Sequence, residues 1–364
     1  MKKPIDIGVV GCGYWGPNLV RNFRNLTDCR LKLMCDASEQ RLTHMRSLYP
    51  EVEGHTDFAH VLNGAGLDAV VIATPVRFHY KMAKASLLAG KHTFIEKPMA
   101  ASSAECEELN AIAEEKGLVL MVGHTFLYSP AVRKIKEIVD WGDIGEIRYI
   151  SSRRLNLGLF QKDINVAWDL APHDISIILY ILGESPTSVN CRGDAHITPG
   201  IEDVTNMCLS FRRNRSAMIQ SSWLDPRKVR EMTIVGSKRM IVYDDIAPLE
   251  KLKIFDARVE VPPHYDTFGE FQYSYHYGDV YIPYIKQEEP LKVECHHFLE
   301  CIQQGKTPLT HGRHGEELVK ILEAASTSLK RNGAPVELLT YPSRTGFTPP
   351  ERELRQREPE LVCA

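Results

Sequence analysis

The chain has 364 residues, too many for one compact core, and this length predicts two domains of ordinary size. Hydrophobic residues make up 43% of it and charged residues 25%, which is typical of a globular protein and excludes a collagen-like, coiled-coil or disordered chain. The formal net charge is −3, so there is no overall basic field to attract nucleic acid or an anionic membrane.

The cysteines and the first residues predict a cytoplasmic protein. The nine cysteines are scattered, odd in number and without a C-x-x-C pair, as expected for reduced thiols. Lys2 and Lys3 resemble the basic end of a secretion signal, but Asp6 and four glycines interrupt the apolar stretch that should follow. The longest apolar runs, such as Ile175–Leu182, are too short to span a bilayer.

The first 125 residues alternate short apolar runs with segments of helical period. The predicted strands are Ile5–Val10, Leu31–Cys35, Ala69–Ala73, Thr93–Ile95 and Val119–Val122. The predicted helices are Asn18–Asn25, Glu39–Leu48, His79–Leu88 and Ala104–Glu115. This alternation predicts a doubly wound parallel α/β sheet, a Rossmann domain at 1–125, with its ligands at the carboxyl ends of the strands.

After Pro130 the pattern changes to longer strand-like runs with few helices. The predicted strands are Glu146–Asn156, Thr187–His196, Thr205–Phe211, Ser216–Trp223, Glu231–Val235 and Met240–Tyr243. The predicted helices are Ala131–Val139, Ala171–Leu182, Val293–Gln304 and Gly315–Arg331. We expect an α+β domain at 126–340 with a large, mostly antiparallel open sheet, and an extended tail at 341–364, which is rich in Pro, Glu and Arg.

A glycine-rich turn is expected between the first predicted strand and the first predicted helix. It fits G-x-G-x-x-G with Gly11, Cys12, Gly13, Tyr14, Trp15 and Gly16. The first glycine permits a tight turn, the second lets the backbone approach a pyrophosphate, and the third lets helix and strand pack closely. In this context the motif predicts a dinucleotide site, against the alternative of a purely structural turn.

Asp36 follows the second predicted strand, twenty residues after Gly16. A carboxylate there accepts hydrogen bonds from the adenosine ribose and repels a 2′-phosphate, which favours NAD over NADP as the cofactor. Arg41 is the nearby cation that would weaken this preference. A methyltransferase also has glycines and an acid after its first two strands, but it gives no role to a lysine after the fourth.

Two further segments carry candidate catalytic groups. Glu96, Lys97 and Pro98 end the fourth predicted strand, where a lysine can donate to a substrate oxygen; the alternative is a solvated surface lysine. Asp169 and His173 are four residues apart and share a helix face if the first turn, with Pro172 in it, has begun by then. The carboxylate would orient the imidazole for proton transfer; the alternative is a helix cap beside a structural histidine.

Taken together, these motifs resemble the Gfo/Idh/MocA oxidoreductases. The segments that carry the resemblance are the glycine-rich turn, Ala73-Thr74-Pro75 with His79, Ala89-Gly90-Lys91-His92, Glu96-Lys97-Pro98 and Asp169-x-x-x-His173. The resemblance extends to about Glu337 and implies an open sheet whose free face forms a homodimer or homotetramer.

The resemblance also implies roles for individual residues. Lys97 and His173 would flank a substrate hydroxyl as catalytic residues, and Asp169 would support them. Besides the glycine-rich turn and Asp36, cofactor contacts are implied for Thr74, Pro75, His79, Glu96 and Lys97.

The segment after the fifth predicted strand departs from the family, because Leu127 stands where many relatives have an arginine. We expect His124 and Tyr128 of this segment to contact the substrate. Arg154 and Asn156, in the next extended run, are expected to contact a phosphate or a sugar hydroxyl; the alternative is solvation at a strand edge. This run and segment 168–174 resemble the subgroup that acts on nucleotide-linked sugars.

A metal site is not expected. The candidate ligands near the end of the chain are Cys295, His296, His297, Cys301, His311 and His314. Their spacing does not match that of a metal site, and an amphipathic helix with incidental histidines explains them better.

The sequence thus predicts an NAD-dependent dehydrogenase that oxidises a secondary hydroxyl of a nucleotide-linked sugar, at C3 by analogy with the subgroup. One alternative is a dehydrogenase of free polyols or monosaccharides, of the inositol or glucose type. An alternative of another class is an NAD-binding sensor that has lost catalysis.

Overall fold

The computed structural model describes residues 3–63, 66–260 and 274–338. It confirms the predicted fold class, a parallel α/β sheet followed by an α+β part with a larger, mostly antiparallel sheet. The predicted tail at 341–364 lies outside the described residues. Within them, no helix is both long enough and apolar enough to cross a membrane.

The first sheet has six parallel strands. These are β1 (Ile5–Val10), β2 (Cys29–Cys35), β3 (Glu53–His55), β4 (Ala69–Ile72), β5 (His92–Glu96) and β6 (Leu120–Gly123). Its helices are α1 (Gly16–Arg24), α2 (Glu39–Leu48), α3 (Ala59–Asn63), α4 (Val76–Leu88) and α5 (Ser103–Lys116). The strand order is β3-β2-β1-β4-β5-β6, so the direction of winding reverses between β1 and β4, where sheets of this type bind ligands.

The second sheet has nine strands. These are β7 (Ile147–Leu157), β8 (Ser188–Asp194), β9 (Val204–Phe211), β10 (Arg215–Ser222), β11 (Leu224–Gly236), β12 (Met240–Asp244), β13 (Leu252–Glu260), β14 (Ser274–Tyr281) and β15 (Val336–Glu337). Their order is β14-β13-β12-β11-β7-β10-β9-β8-β15, and every pair except β7 with β10 is antiparallel. The helices of this part are α6 (Pro130–Asp140), α7 (Val166–Leu182), α8 (Pro290–Gln304) and α9 (Gly312–Lys330).

The two sheets share helices from the end of the chain. Phe298 of α8 packs edge-on against Phe23 of α1 and Phe94 of β5, with ring centroids 6.4 and 5.7 Å away. Helix α9 lies against both α5 and β8. The first sheet ends at Gly123, and the domain boundary expected near residue 125 stays a prediction, because α8 and α9 pack on elements from both sides of it.

Helix α7 differs from its prediction. It begins at Val166, where the Asn165 side chain accepts a hydrogen bond from the Trp168 amide at 3.2 Å, and not at Ala171. Pro172 therefore lies beyond the first turn, inside the helix. The early start places Asp169 and His173 on one continuous helix that packs on β7 and β10.

Candidate active site

The close packing of the glycine-rich turn requires glycine at Gly11 and Gly16, whereas Gly13 faces open space. Gly11 has a φ of 97°, and a Cβ there would lie 2.6 Å from the Ala73 carbonyl oxygen. A Cβ on Gly16 would lie 1.8 Å from the carbonyl oxygen of Gly11. At Gly13 the nearest atom is Arg41 Nη1 at 3.7 Å, so packing does not require a glycine there and the missing side chain leaves room for a ligand. This geometry fits the pyrophosphate of a dinucleotide.

Asp36 is fixed beside this turn by two backbone amides. Its Oδ2 accepts from the Cys12 amide at 2.7 Å, and its Oδ1 accepts from the Ser38 amide at 2.8 Å. The side chain of Arg41 is largely exposed, and its Nη1 lies 3.6 Å from Oδ2. The Asp36 carboxylate and Arg41, the cation expected to weaken the preference for NAD, therefore lie together at the end of β2. The ribose of a dinucleotide binds at this place in sheets of this type.

Trp15 connects the glycine-rich turn to the end of β5. Its Nε1 donates to Glu96 Oε1 at 2.5 Å, and the Lys97 amide donates to Glu96 Oε2 at 3.2 Å. Burial raises the pKa of Glu96 to about 7, although the positive charge of Lys97 and both hydrogen bonds act in the opposite direction. Tyr14, next to Trp15, is exposed. Glu96 and Lys97 thus lie at the same edge of the sheet as the turn, as expected from parallel strands.

His79 differs from its predicted role as a direct cofactor contact. Its imidazole is 1% exposed, with Nδ1 2.8 Å from the Pro98 carbonyl oxygen and Nε2 2.7 Å from the Thr74 carbonyl oxygen. Burial lowers the pKa of His79. The ring is enclosed because it joins the loop after β4, which contains Thr74 and Pro75, to the loop after β5, so it positions both loops.

The expected pairing of Asp169 with His173 is wrong. The Asp169 carboxylate faces Lys97, whose Nζ donates to the Asp169 carbonyl oxygen at 2.7 Å and lies 3.4 Å from Oδ1. Its other oxygen, Oδ2, accepts from Trp223 Nε1 at 3.1 Å. Asp169 and His173 share a helix face, which brings them near each other. They do not pair, because both oxygens of Asp169 have partners from other elements. Trp223 was missed as a site residue, since it stands at the end of a predicted strand with no motif around it.

His173 is buried beside the Lys97–Asp169 pair. Its Nδ1 has no hydrogen-bond partner among the described residues, and its ring centroid lies 4.9 Å from that of Phe126. Burial lowers the pKa of His173 well below its ordinary value, and the positive charges of Lys97 and Arg154 lower it further. The imidazole is therefore neutral at pH 7 and able to accept a proton.

Arg154 and Tyr128 differ from their predicted role as substrate contacts. Arg154 is 5% exposed; its Nε and Nη2 donate to Asp174 at 2.7 and 3.2 Å, and its guanidinium lies over the Phe126 ring. Tyr128 is fully buried, with its hydroxyl 3.1 Å from Thr310 Oγ1. Both side chains face the core because their backbone positions point inward, so each has a partner in the interior.

The substrate contacts predicted for His124 and Asn156 stay predictions. His124 is 1% exposed and stacks edge-on against His314 at 5.3 Å, and neither of its ring nitrogens has a partner among the described residues. Burial lowers the pKa of His124 well below its ordinary value, so this ring is neutral as well. Asn156 is half-buried near the end of β7, beside Gly158.

The candidate metal ligands of the last helices have other contacts. Nε2 of His297 accepts from the Leu309 amide at 3.0 Å and lies 3.4 Å from Cys301 Sγ. Nδ1 of His311 accepts from the His314 amide at 3.3 Å, at the start of α9. Among the described residues, no three His, Cys, Asp or Glu side chains are grouped so as to hold a metal ion.

Comparison with protein families finds two models that match consecutive parts of the chain. Residues 5–124 match the model described as an oxidoreductase family with an NAD-binding Rossmann fold. Residues 132–242 match the GFO/IDH/MocA C-terminal domain. Both parts of the chain are therefore covered by models of one family.

Individual relatives are similar over most of the chain. An uncharacterized oxidoreductase, YrbE of Bacillus subtilis, is 27% identical over 355 residues, which are 93% of this chain and 98% of that protein. The scyllo-inositol 2-dehydrogenase (NAD(+)) of the same organism is 26% identical over 95% of this chain and its own full length.

A third relative is similar in sequence and in fold. The UDP-N-acetylglucosamine 3-dehydrogenase of Acidithiobacillus ferrooxidans is 30% identical over 183 residues, 50% of this chain and 56% of that protein. Its solved structure superposes with a TM-score of 0.75 over 91% of this chain and 99% of that chain, at 22% identity.

Proposed function

This chain belongs to the Gfo/Idh/MocA oxidoreductase family, and on that premise we propose that it transfers hydride between a secondary hydroxyl of a nucleotide-linked sugar and NAD. The observation that carries the proposal is the arrangement of Lys97, Asp169 and His173 at the carboxyl edge of the first sheet. An oriented ammonium and a neutral buried imidazole meet there, close to the residues expected along the cofactor.

The two groups divide the chemistry of oxidation. Lys97 donates a hydrogen bond to the substrate oxygen and stabilises the negative charge that develops on it. His173 accepts the hydroxyl proton as the carbon–hydrogen bond breaks. NAD, when bound at the glycine-rich turn, supplies the hydride acceptor. In the opposite direction, His173 returns the proton to the oxygen of a keto-sugar.

The site residues for NAD follow from the same edge of the sheet. The backbone at Gly13 leaves room for the pyrophosphate, and Asp36 offers its carboxylate to the adenosine ribose. Thr74, Pro75 and Glu96 would lie along the nicotinamide ribose, where Trp15 holds the Glu96 side chain.

A nucleotide-linked substrate oxidised at C3 is supported by the relative from Acidithiobacillus ferrooxidans, which acts on UDP-N-acetylglucosamine by its name. A free polyol is supported by the scyllo-inositol 2-dehydrogenase, which is similar over its full length. Initial rates of NADH formation on UDP- and TDP-sugars, compared with rates on inositols and free sugars, distinguish the two. A higher kcat/KM on free polyols would refute the nucleotide-linked substrate, and no turnover on either class would favour the sensor.

The free face of the nine-stranded sheet is proposed to form a homodimer or homotetramer. Tyr149, Arg153 and Met218 are exposed on this face, on the paired strands β7 and β10. The family resemblance supports this arrangement, in which a second copy would cover these side chains. Light scattering should give a mass of two or four chains, and Met218→Glu should shift it to one chain.

A further inference from the structure

We propose that Trp223 is a positioning residue of the hydride-transfer site, whose indole N–H fixes the Asp169 carboxylate that in turn holds Lys97. The inference rests on the proposed function, since it assigns Trp223 a part in that reaction. It concerns a residue in the bend between β10 and β11, far along the chain from both Lys97 and Asp169.

The hydrogen bonds around Asp169 place Trp223 in a chain of three side chains. Trp223 Nε1 donates to Oδ2 at 3.1 Å, and Lys97 Nζ lies 3.4 Å from Oδ1. The Lys97 contact is longer than the 2.7–2.9 Å of a good charge-assisted hydrogen bond, so it constrains the carboxylate only weakly. Among the described residues, the indole is the other side-chain donor to this carboxylate, and it makes the shorter bond.

The ring and the backbone of Trp223 are both held in place. Trp223 is 1% exposed, and its ring packs against Phe160 with centroids 5.5 Å apart. Its amide donates to the Asp203 carbonyl oxygen at 2.9 Å, and its carbonyl oxygen accepts from the Gly158 amide at 3.0 Å. A buried indole N–H without a partner costs free energy, so the bond to Asp169 satisfies both groups and neither can easily turn away.

The neighbouring carboxylate cannot replace Asp169. Asp174 accepts from Arg154 and from Ser152 Oγ, the latter at 2.7 Å, so its oxygens are already used. If the indole N–H is lost, the Asp169 side chain is free to rotate about its χ2 angle. Lys97 then keeps its bond to the Asp169 carbonyl oxygen but loses a fixed carboxylate, and the ammonium is less precisely aimed.

Gly158 offers a second way to move the indole. A Cβ at this position would lie 2.9 Å from Trp223 Cδ1 and 3.0 Å from Asn156 Nδ2. A ring carbon in a packed indole cannot give way as the end of a flexible side chain can. Gly158→Ala should therefore displace the ring, together with the end of the Asn156 side chain, without removing any polar group of the site.

The test compares Trp223→Phe with Trp168→Phe. Both changes remove an indole hydrogen bond and keep an aromatic ring, but Trp168 Nε1 donates to Ser326 Oγ at 2.8 Å, outside the site. We expect Trp223→Phe to lower kcat about ten-fold, the equivalent of about 1.4 kcal/mol, with a smaller change in the KM for NAD. Gly158→Ala should lower kcat in the same direction, and Trp168→Phe should leave it within two-fold of the unchanged protein.

A second readout does not depend on turnover. In a ¹H–¹⁵N spectrum of the full chain, Asp169→Asn should shift the indole resonance of Trp223 and leave that of Trp168 in place. A Trp223→Phe variant that is folded and keeps its kcat, or a Trp223 indole resonance that does not respond to Asp169→Asn, would overturn the positioning role. If the unchanged protein oxidises no sugar with NAD, the proposed function fails, whereas the resonance still tests the hydrogen bond itself.

Discussion

Replacing Arg154 by methionine should destabilise the protein strongly, and this distinguishes a core ion pair from a substrate contact. Arg154 and Asp174 are 5% and 3% exposed, and the guanidinium donates two hydrogen bonds to the carboxylate. Removing one partner of such a buried pair leaves the other charge uncompensated, which typically costs about 3–5 kcal/mol of the free energy of unfolding. That is a large part of the about 5–15 kcal/mol of an ordinary domain.

The adjacent Arg153 provides a matched control on the same strand. It faces the opposite side of β7, its side chain is 46% exposed, and its Nη1 lies 3.9 Å from Glu231 Oε2. A surface pair of this kind contributes about 0–1 kcal/mol, so Arg153→Met should barely change the urea midpoint. The double variant Arg154→Met with Asp174→Asn should recover part of the loss, because it leaves no unpaired charge in the core.

Arg154→Met should also change the pH dependence of the reaction. His173 must be neutral to accept the proton, and its low pKa results from burial and from the positive charges of Lys97, Arg154 and Arg230. Without Arg154 one of these charges is gone, so the pKa of His173 rises. The acid limb of kcat/KM, measured between about pH 5 and 8, should then move to higher pH. If Arg154→Met were as stable as Arg153→Met and only raised the KM for the sugar, this reasoning would be refuted.

Four other substitutions test the remaining parts of the site. Lys97→Ala and His173→Ala should each reduce turnover by more than a hundred-fold and leave the NAD affinity in a fluorescence titration nearly unchanged; near-normal rates would contradict their catalytic roles. Asp36→Asn should increase kcat/KM with NADP relative to kcat/KM with NAD by at least ten-fold. The substitution removes the negative charge that opposes a 2′-phosphate, and it frees Arg41 to bind that phosphate. An unchanged ratio would contradict the ribose contact. His79→Phe should lower the thermal midpoint and weaken NAD binding, because it removes the ring N–H that donates to one of the Thr74 and Pro98 carbonyl oxygens. Unchanged NAD binding would show that the two loops do not depend on this ring.

Most elements of the fold could be predicted because hydrophobic periodicity specifies them. The six residues of β1 are all buried, as expected for a strand with both faces covered. The short strand β3, Glu53–His55, has no such pattern and exists through its pairing with β2. Strand β13 was also missed, because after Ile254 it is only half-buried and shows no clear alternation.

The site was predictable in its location and less so in its contacts. Parallel strands bring their carboxyl ends to one edge, so the motifs at Gly11, Glu96 and Lys97 had to meet. The partner of each polar side chain depends on elements far apart in sequence, which spacing does not reveal. For Arg154 a signal did exist: it shares its strand face with Ile150 and Ser152, and this parity indicates the core.

Asp169 and Asp174 are each bound to a cation, and this determines how His173 works. Asp169 is bound by Lys97 and Trp223, while Asp174 is bound by Arg154, so no negative charge among the described residues is paired with the imidazole. A protonated His173 would then face the positive charges of Lys97 and Arg154 without a carboxylate partner, which disfavours the imidazolium. The arrangement thus keeps the base neutral before each turnover and keeps Lys97 aimed throughout. We therefore expect the orientation of Lys97, and not the basicity of His173, to be the feature that mutations around Asp169 disturb.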